Sequence, residues 1–257
     1  MTKVILVTGA SRGIGFAICK HLRTFGVHVV GVSRSESPMQ DFANEKYKGD
    51  FSYVVGDVTD PATLESILNL VQREYGKLDG IVLNAGVIEP IERIQSLDMN
   101  LLQRQFDVNF FSLISLLQKF LPLLRQSKGR IVHVSSGAAE NAYMGWLGYC
   151  CTKASMNMLN KQLSIEEKDI VSVAVRPGVV KTSMTDSALE NGNGIKFIGL
   201  GKDCMSQSDY EYIKDNRISV DISSHVLAKL AIEAPRELSG QFLSWDDERL
   251  NDFKINI

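Results

Sequence analysis

The sequence predicts an α/β protein built as one doubly wound parallel sheet with helices on both faces. Three observations carry this. Short runs rich in Val and Ile alternate with longer helical stretches. The runs are apolar almost throughout, as strands covered on both faces are. The first run also ends in a glycine-rich turn that opens directly into a helix, the form of a phosphate-binding βα turn.

"KVILVT" (3–8) reads as the first strand, and "GIGFAICKHLRTFG" (13–26) as a helix closed by a glycine. "VHVVGVS" (27–33) and "SYVVGDV" (52–58) follow as strands. "DPATLESILNLVQREYG" (60–76) reads as a helix with Asp60 as N-cap and Pro61 at the first helical position. "LDGIVLNAG" (78–86), "GRIVHVSS" (129–136) and "DIVSVAVRPG" (169–178) supply three more strands.

The longest apolar stretch, "FFSLISLLQKFLPLL" (110–124), is shorter than the roughly 18–20 residues of a membrane span. Gln118, Lys119 and Pro122 interrupt it, so it reads as a helix buried partly in the core and partly against a second copy of the chain. No linker or repeat breaks the alternation, and residues 1–257 read as one domain. Residues 183–217 lack clear periodicity and directly follow a strand end, where open α/β sheets bind ligands. They read as a substrate lid, with an ordinary helical excursion as the plainer alternative.

A net charge of −2 with interspersed signs argues against a nucleic-acid partner. The apolar N-terminus meets Gly9 too soon for a secretory leader, and cytoplasmic location is the default expectation. The cysteines form no CxxC pair, and His21, His28, His133 and His225 show no ligand spacing, so no metal is expected. A GxSxG elbow, which a hydrolase of this class would need, is missing.

The chemistry concentrates in two stretches. In "VTGASRGIG", Gly9, Gly13 and Gly15 let the backbone approach a pyrophosphate, with Ser11, Arg12 and Ile14 in the same turn. In "GYCCTKAS", Tyr149 and Lys153 stand one helical turn apart on one face. Bringing a tyrosine from its usual value near 10 to about 7 needs roughly 4 kcal/mol. A lysine charge about 5 Å away supplies roughly 3 kcal/mol at an effective dielectric near 20. Cys150 and Cys151 read as small helix-filling residues whose thiols would make activity sensitive to alkylation. Ser33 stands where an NAD site usually presents an acid, Arg34 follows, and Arg12 lies in the glycine turn. Two guanidinium groups suit a 2′-phosphate, so NADPH/NADP+ is favoured over NADH; Glu36, past the strand end, is the competing feature.

TGxxxGxG, Asn84-Ala85-Gly86, Ser136, Tyr149 and Lys153, in this order, resemble the short-chain dehydrogenase/reductase family. The resemblance runs motif by motif from Lys3 to about Thr182, and by length and last strand over the whole chain. It implies a single-domain Rossmann fold with seven strands and a catalytic set of Asn109, Ser136, Tyr149 and Lys153. Tyr149 would then donate a proton to a carbonyl oxygen held by Ser136. Lys153 would bond the nicotinamide ribose, and Asn109 would hold a water relay. The resemblance also implies cofactor contacts from Asp57 and Val58, from Asn84, Ala85 and Gly86, and from Pro177, Gly178, Val180 and Thr182. Leu83, where the family most often has Asn, and the Cys-Cys-Thr between Tyr149 and Lys153 depart from its pattern.

Within the family, "LDGIVLNAGVIEP", "DVNFFS", "LPLL", "VHVSSGA", Trp146 and "GQFLSWDDERL" are similar to the fungal benzil reductase group, near the sepiapterin reductases. That implies NADPH-dependent reduction of ketones flanked by bulky or aromatic groups, such as 1,2-diketones. Ser136, Trp146, Tyr149 and Met184 would touch such a substrate, with Met144 and Met205 completing an adaptable wall; a merely packing Trp146 is the alternative. Two rival readings stay open: a 3-oxoacyl-thioester reductase, and a non-catalytic NADP(H)-sensing protein. The expected partners are a small-molecule carbonyl and further copies of the chain, as a homodimer or homotetramer.

Overall fold

The β-branched runs pair side by side because each is apolar on both faces and can be buried only between two helical layers. In the computed structural model, which describes residues 2–192 and 206–255, they are β1 (Val4–Thr8), β2 (His28–Ser33), β3 (Phe51–Val55), β4 (Gly80–Leu83), β5 (Arg130–Val134) and β6 (Val171–Arg176). Two short strands, β7 (Val179–Val180) and β8 (Arg217–Ile218), pair apart from the main sheet, and β9 (Phe242–Ser244) completes it. The main sheet has seven strands, all parallel, in the order β3-β2-β1-β4-β5-β6-β9. The order reverses direction between β1 and β4, and the crevice above such a switch point is where open α/β sheets bind ligands.

The helices are α1 (Gly13–Thr24), α2 (Ser37–Asn44), α3 (Pro61–Glu74), α4 (Met99–Phe106), α5 (Ser112–Ser127), α6 (Leu147–Glu166), α7 (Ser183–Gly192), α8 (Gln207–Asp215) and α9 (Val220–Glu233). Ile18 and Leu22 of α1 and Val226, Leu227 and Leu230 of α9 fill one side of the sheet. Ile67 and Val71 of α3, Leu113, Leu117 and Phe120 of α5 and Met156 of α6 fill the other. Phe120 is fully buried, and truncation to Ala would cost about 3–5 kcal/mol. Asp60 caps α3, accepting from Ala62 N at 3.0 Å, with Pro61 at the first position.

The strands end earlier than the apolar runs suggest: β3 stops before Gly56, β4 before Asn84 and β6 before Pro177. The residues just past these ends leave the ladder and form the rim of the crevice. The apolar stretch at 110–124 belongs to a helical rod from Met99 to Ser127, joined by a π-helical turn at Asp107–Phe111. It is long and apolar enough to cross a membrane by composition, yet its inner face packs on the sheet while Phe111 remains 46% exposed. The expected lid at 183–217 contains α7, α8 and β8, with residues 193–205 lying outside the described residues. The described parts are therefore helical, although no apolar periodicity marks them in the sequence.

Candidate active site

The glycine turn does what its residue types allow. Gly9 and Gly13 adopt left-handed φ values of +67° and +55°, which side-chain-bearing residues rarely hold. A side chain on Gly15 would meet the Gly9 carbonyl oxygen at 2.3 Å, so that glycine permits close packing rather than contact with a ligand. Asn84 locks the turn to β4: its Nδ2 donates to the Thr8 carbonyl at 2.8 Å, and Thr8 Oγ1 accepts from Asn84 N and Ala85 N at 2.9 Å each.

Above the switch point lies a cleft of about 420 Å³. The glycine turn (Gly9, Ser11, Arg12, Gly13, Ile14) forms one wall, Arg34, Asp57 and Val58 another, and Asn84, Ala85 and Gly86 the floor. Thr182 and Met184 close the end nearest α7. Arg12 and Arg34 both line the cleft, both are exposed, and neither has an ion-pair partner among the described residues. Glu36 instead occupies the N-cap position of α2 and does not line the cleft. Ser33 is turned onto its own loop, donating to the Ser35 carbonyl at 2.9 Å. These donors fit a dinucleotide bearing a 2′-phosphate: two free guanidinium groups, a glycine turn opening α1, and no carboxylate at the end of β2.

Asp57 has a partner that the sequence reading missed. Arg104 of α4 bonds its Oδ2 at 2.6 Å, and Thr59 donates to Oδ1 from N at 2.9 Å and Oγ1 at 2.8 Å. Burial alone would raise the Asp57 pKa, but the Thr59 and Arg104 hydrogen bonds outweigh it and hold the carboxyl below its usual range. The two residues are 47 apart in sequence, and no local pattern links them.

Of the remaining contacts expected with a cofactor, Gly178 (φ +80°) packs against the Trp245 indole, and Val180 is buried in the β7–β8 pair. Pro177, Gly178 and Val180 do not line the cleft, whereas Thr182 does.

Tyr149 and Lys153 lie on the buried face of α6, which starts close against α4: a side chain on Gly148 would meet Gln105 Oε1 at 2.0 Å. Burial pushes the Tyr149 phenol up to about 12, and Ser136, as a hydrogen-bond donor, opposes that rise. Ser136 also accepts from Ala138 N at 3.1 Å, capping the turn after β5, so it combines a structural and a site position. Burial brings the Lys153 ammonium down to about 8. Its Nζ donates to the Val134 carbonyl at 2.7 Å and stands 5.6 Å from the Tyr149 ring centroid. The expected fall of Tyr149 toward neutrality is not what this geometry gives: burial is the largest influence on the phenol and carries it upward instead.

Asn109, fully buried in the π-helical turn, accepts from Val87 N at 2.8 Å and donates to Val87 O at 2.8 Å and Thr152 Oγ1 at 3.2 Å. Its amide is committed to backbone and to α6 rather than left free for a water chain.

Beside Tyr149 sits a separate apolar cluster of Ile88, Ile91, Ala138, Trp146, Ala188 and Ile213, with Met184 packed on it. The Trp146 ring meets Tyr149 edge-on at 5.7 Å and Tyr143 at 5.1 Å. Met184 lines the cleft and touches this cluster, and so joins the two. Met144 is 40% exposed and contacts Arg93 instead, and Met205 lies outside the described residues.

A family model for the short chain dehydrogenases matches residues 3–193. An uncharacterised oxidoreductase of Saccharomyces cerevisiae is 38% identical over 98% of this chain and 99% of its own length. An (S)-benzoin-forming benzil reductase of the same yeast is 38% identical over 97% of this chain and 98% of its own. The crystal structure of a short-chain dehydrogenase/reductase from Saccharomyces cerevisiae superposes with a TM-score of 0.90 at 36% identity, covering 98% of this chain and 100% of that one.

Proposed function

The chain belongs to the short chain dehydrogenase family, an oxidoreductase family, and from that premise we propose that it is an NADPH-dependent carbonyl reductase. Its substrates would be ketones flanked by bulky or aromatic groups, 1,2-diketones among them. One observation carries this reading: the Tyr149 phenol belongs at once to the buried aromatic cluster with Trp146 and to the Ser136–Lys153 site. A carbonyl carrying an aromatic group would rest against that cluster with its oxygen at Tyr149. The likeness to benzil reductases from Saccharomyces cerevisiae and Bacillus cereus supports the same substrate class.

A bound nicotinamide cofactor would supply the hydride. Arg12 and Arg34 would pair with its 2′-phosphate, and the glycine turn with the α1 N-terminus would hold its pyrophosphate. Ser136 donates to the substrate oxygen, stabilising the negative charge that develops there. Tyr149, held protonated by burial, donates its phenolic proton to that oxygen. Lys153, anchored by Val134, holds a positive charge beside the phenol as it gives up the proton. Asn109 acts as a positioning residue, tying the Val87 loop to Thr152 one turn from Tyr149. Trp146 and Met184 exclude water and select the substrate's apolar group.

The exposed apolar residues Met99, Leu101 and Phe111 on the α4–α5 rod and Leu147, Met158 and Ile165 on α6 support a homodimer or homotetramer, which light scattering of the purified protein checks. For the activity, the purified protein is given NADPH or NADH with a panel of diketones, β-ketoesters and aldehydes while cofactor absorbance is followed. NADPH-dependent reduction of aromatic diketones is the expected result. Cofactor binding without turnover of any carbonyl overturns the reading and favours a sensing protein.

A further inference from the structure

We propose that the substrate pocket contains a subsite for a second oxygen of the substrate, formed by Asn141, Tyr143 and Arg176 around Gly137. The proposal rests on the reading of Ser136 and Tyr149 as the groups that hold the reducible carbonyl.

Gly137 directly follows Ser136. At the point where its side chain would begin, the nearest atoms contributed by residues beyond its chain neighbours and local backbone are Asn141 Nδ2 at 3.9 Å, Tyr143 Oη at 3.9 Å and Arg176 Nη1 at 4.0 Å. All three carry hydrogens to donate. The space is open because residue 137 is glycine; any side chain there would fill it.

The donors are available. Asn141 Nδ2 gives one hydrogen to the Gly137 carbonyl at 3.0 Å and has a second to give. No hydrogen bond or ion pair among the described residues involves the Tyr143 hydroxyl or the Arg176 guanidinium. Arg176 ends β6, the strand beside β5, and its side chain is exposed at the crest where β5 runs into Ser136. The titratable groups facing Tyr143 from the packed elements are Asp209 and Tyr212 of α8, Cys150 of α6 and Arg176, of which Arg176 alone is a cation.

Gly137 follows Ser136 directly, with successive Cα atoms about 3.8 Å apart, so the donors gather beside the residue that holds the carbonyl oxygen. A substrate bearing a second oxygen close to its carbonyl reaches both groups. The Tyr143 ring lies tilted against Trp146, their centroids 5.1 Å apart, so the subsite lies at the edge of the apolar cluster and leaves the cluster for an aryl group. A guanidinium with two neutral donors recognises either a carboxylate or a second ketone, the former more strongly.

The test compares kcat/KM for benzoylformate (a carboxylate beside the ketone), phenylpropanedione (a second ketone) and propiophenone (one ketone) in wild type, R176A and R176K. The ratio of either two-oxygen substrate to propiophenone is expected to fall about tenfold or more in R176A, the scale of a charge-assisted hydrogen bond. R176K should restore part of the benzoylformate ratio. Ratios within one enzyme cancel any loss of folded protein. Collapse of the benzoylformate ratio identifies a carboxylate and collapse of the dione ratio a ketone; both ratios unchanged in R176A overturn the subsite. Should wild type reduce none of the three, the aromatic-ketone substrate class fails. Calorimetric titration with benzoylformate then tests the subsite alone, and equal Kd values for wild type and R176A overturn it.

Discussion

Lys153 Nζ stands 5.6 Å from the Tyr149 ring centroid, but its hydrogen bond goes to the carbonyl oxygen of Val134 at 2.7 Å. The lysine charge is thus held beside the phenol by the end of β5, not by the phenol itself. Both side chains are buried, and burial moves both away from ionisation, Tyr149 up to about 12 and Lys153 down to about 8.

That arrangement makes a stability prediction for Lys153. Because its folded pKa lies below the ordinary lysine value of 10.5, the unfolded chain binds more protons between about pH 8 and 10.5, and stability rises with pH across that window. Below pH 8 the buried charge opposes folding by about 3 kcal/mol. Lys153→Met should therefore stabilise the protein at pH 7 by up to about that amount while abolishing activity, and the gain should shrink at pH 9.5. Urea denaturation at both pH values checks this, and a pH-independent difference would contradict it.

The same values shape the pH dependence of the reaction. Tyr149 stays protonated throughout the working range, so the proton donor is not lost near pH 10. The charge lost first is that of Lys153. Reduction, followed as kcat/KM for a carbonyl at saturating NADPH, should be flat on the acid side and fall as pH rises through about 8.

Arg12 and Arg34 account for cofactor choice. Replacing both with Ala should lower kcat/KM for NADPH by about tenfold to a hundredfold, each guanidinium contributing a charge-assisted hydrogen bond. The value for NADH should change much less. Equal losses with the two cofactors would remove the 2′-phosphate from the account.

Arg104 fixes the Asp57 carboxylate at the cleft wall. The pair is partly solvent-exposed, 46% for Arg104 and 28% for Asp57, so Arg104→Ala should change stability by less than about 1 kcal/mol. Its effect should appear as a severalfold higher KM for the cofactor. Thermal denaturation and cofactor titration separate the two.

The sulfurs between Tyr149 and Lys153 matter less than their position suggests. Burial raises the Cys150 thiol pKa, and Cys150 Sγ donates to the Asn141 carbonyl at 3.5 Å, while Cys151 is exposed. The nucleophilic thiolate of Cys150 is scarce at neutral pH. Iodoacetamide at pH 7 should modify Cys151 first with little loss of activity, as mass spectrometry and rate assays would show.

Legibility in the sequence followed the range of the interactions. The Val-rich strands, the glycine turn and the Tyr149–Lys153 spacing are local patterns, and each forms the element its residues imply. Asp57–Arg104 and Gly137–Arg176 join residues tens of positions apart, and no short window of sequence contains both ends. The helices α7 and α8 answer to the plainer of the two expectations for 183–217, and the sequence did not decide for it because α7 is divided between the cleft and the aromatic cluster, leaving no single apolar stripe. The effect of Lys153 on Tyr149 was misjudged because helical spacing gives proximity but neither desolvation nor the competing Val134 carbonyl.

The central claim is that the Tyr149 hydroxyl delivers the proton to a substrate carbonyl. Tyr149→Phe keeps the ring against Trp146 and removes only that hydroxyl. The variant should fold, bind NADPH with wild-type affinity by fluorescence titration, and lose about a thousandfold or more in kcat for an aromatic diketone, more than a hydrogen bond alone explains. Cofactor binding intact with kcat within about tenfold of wild type would contradict it.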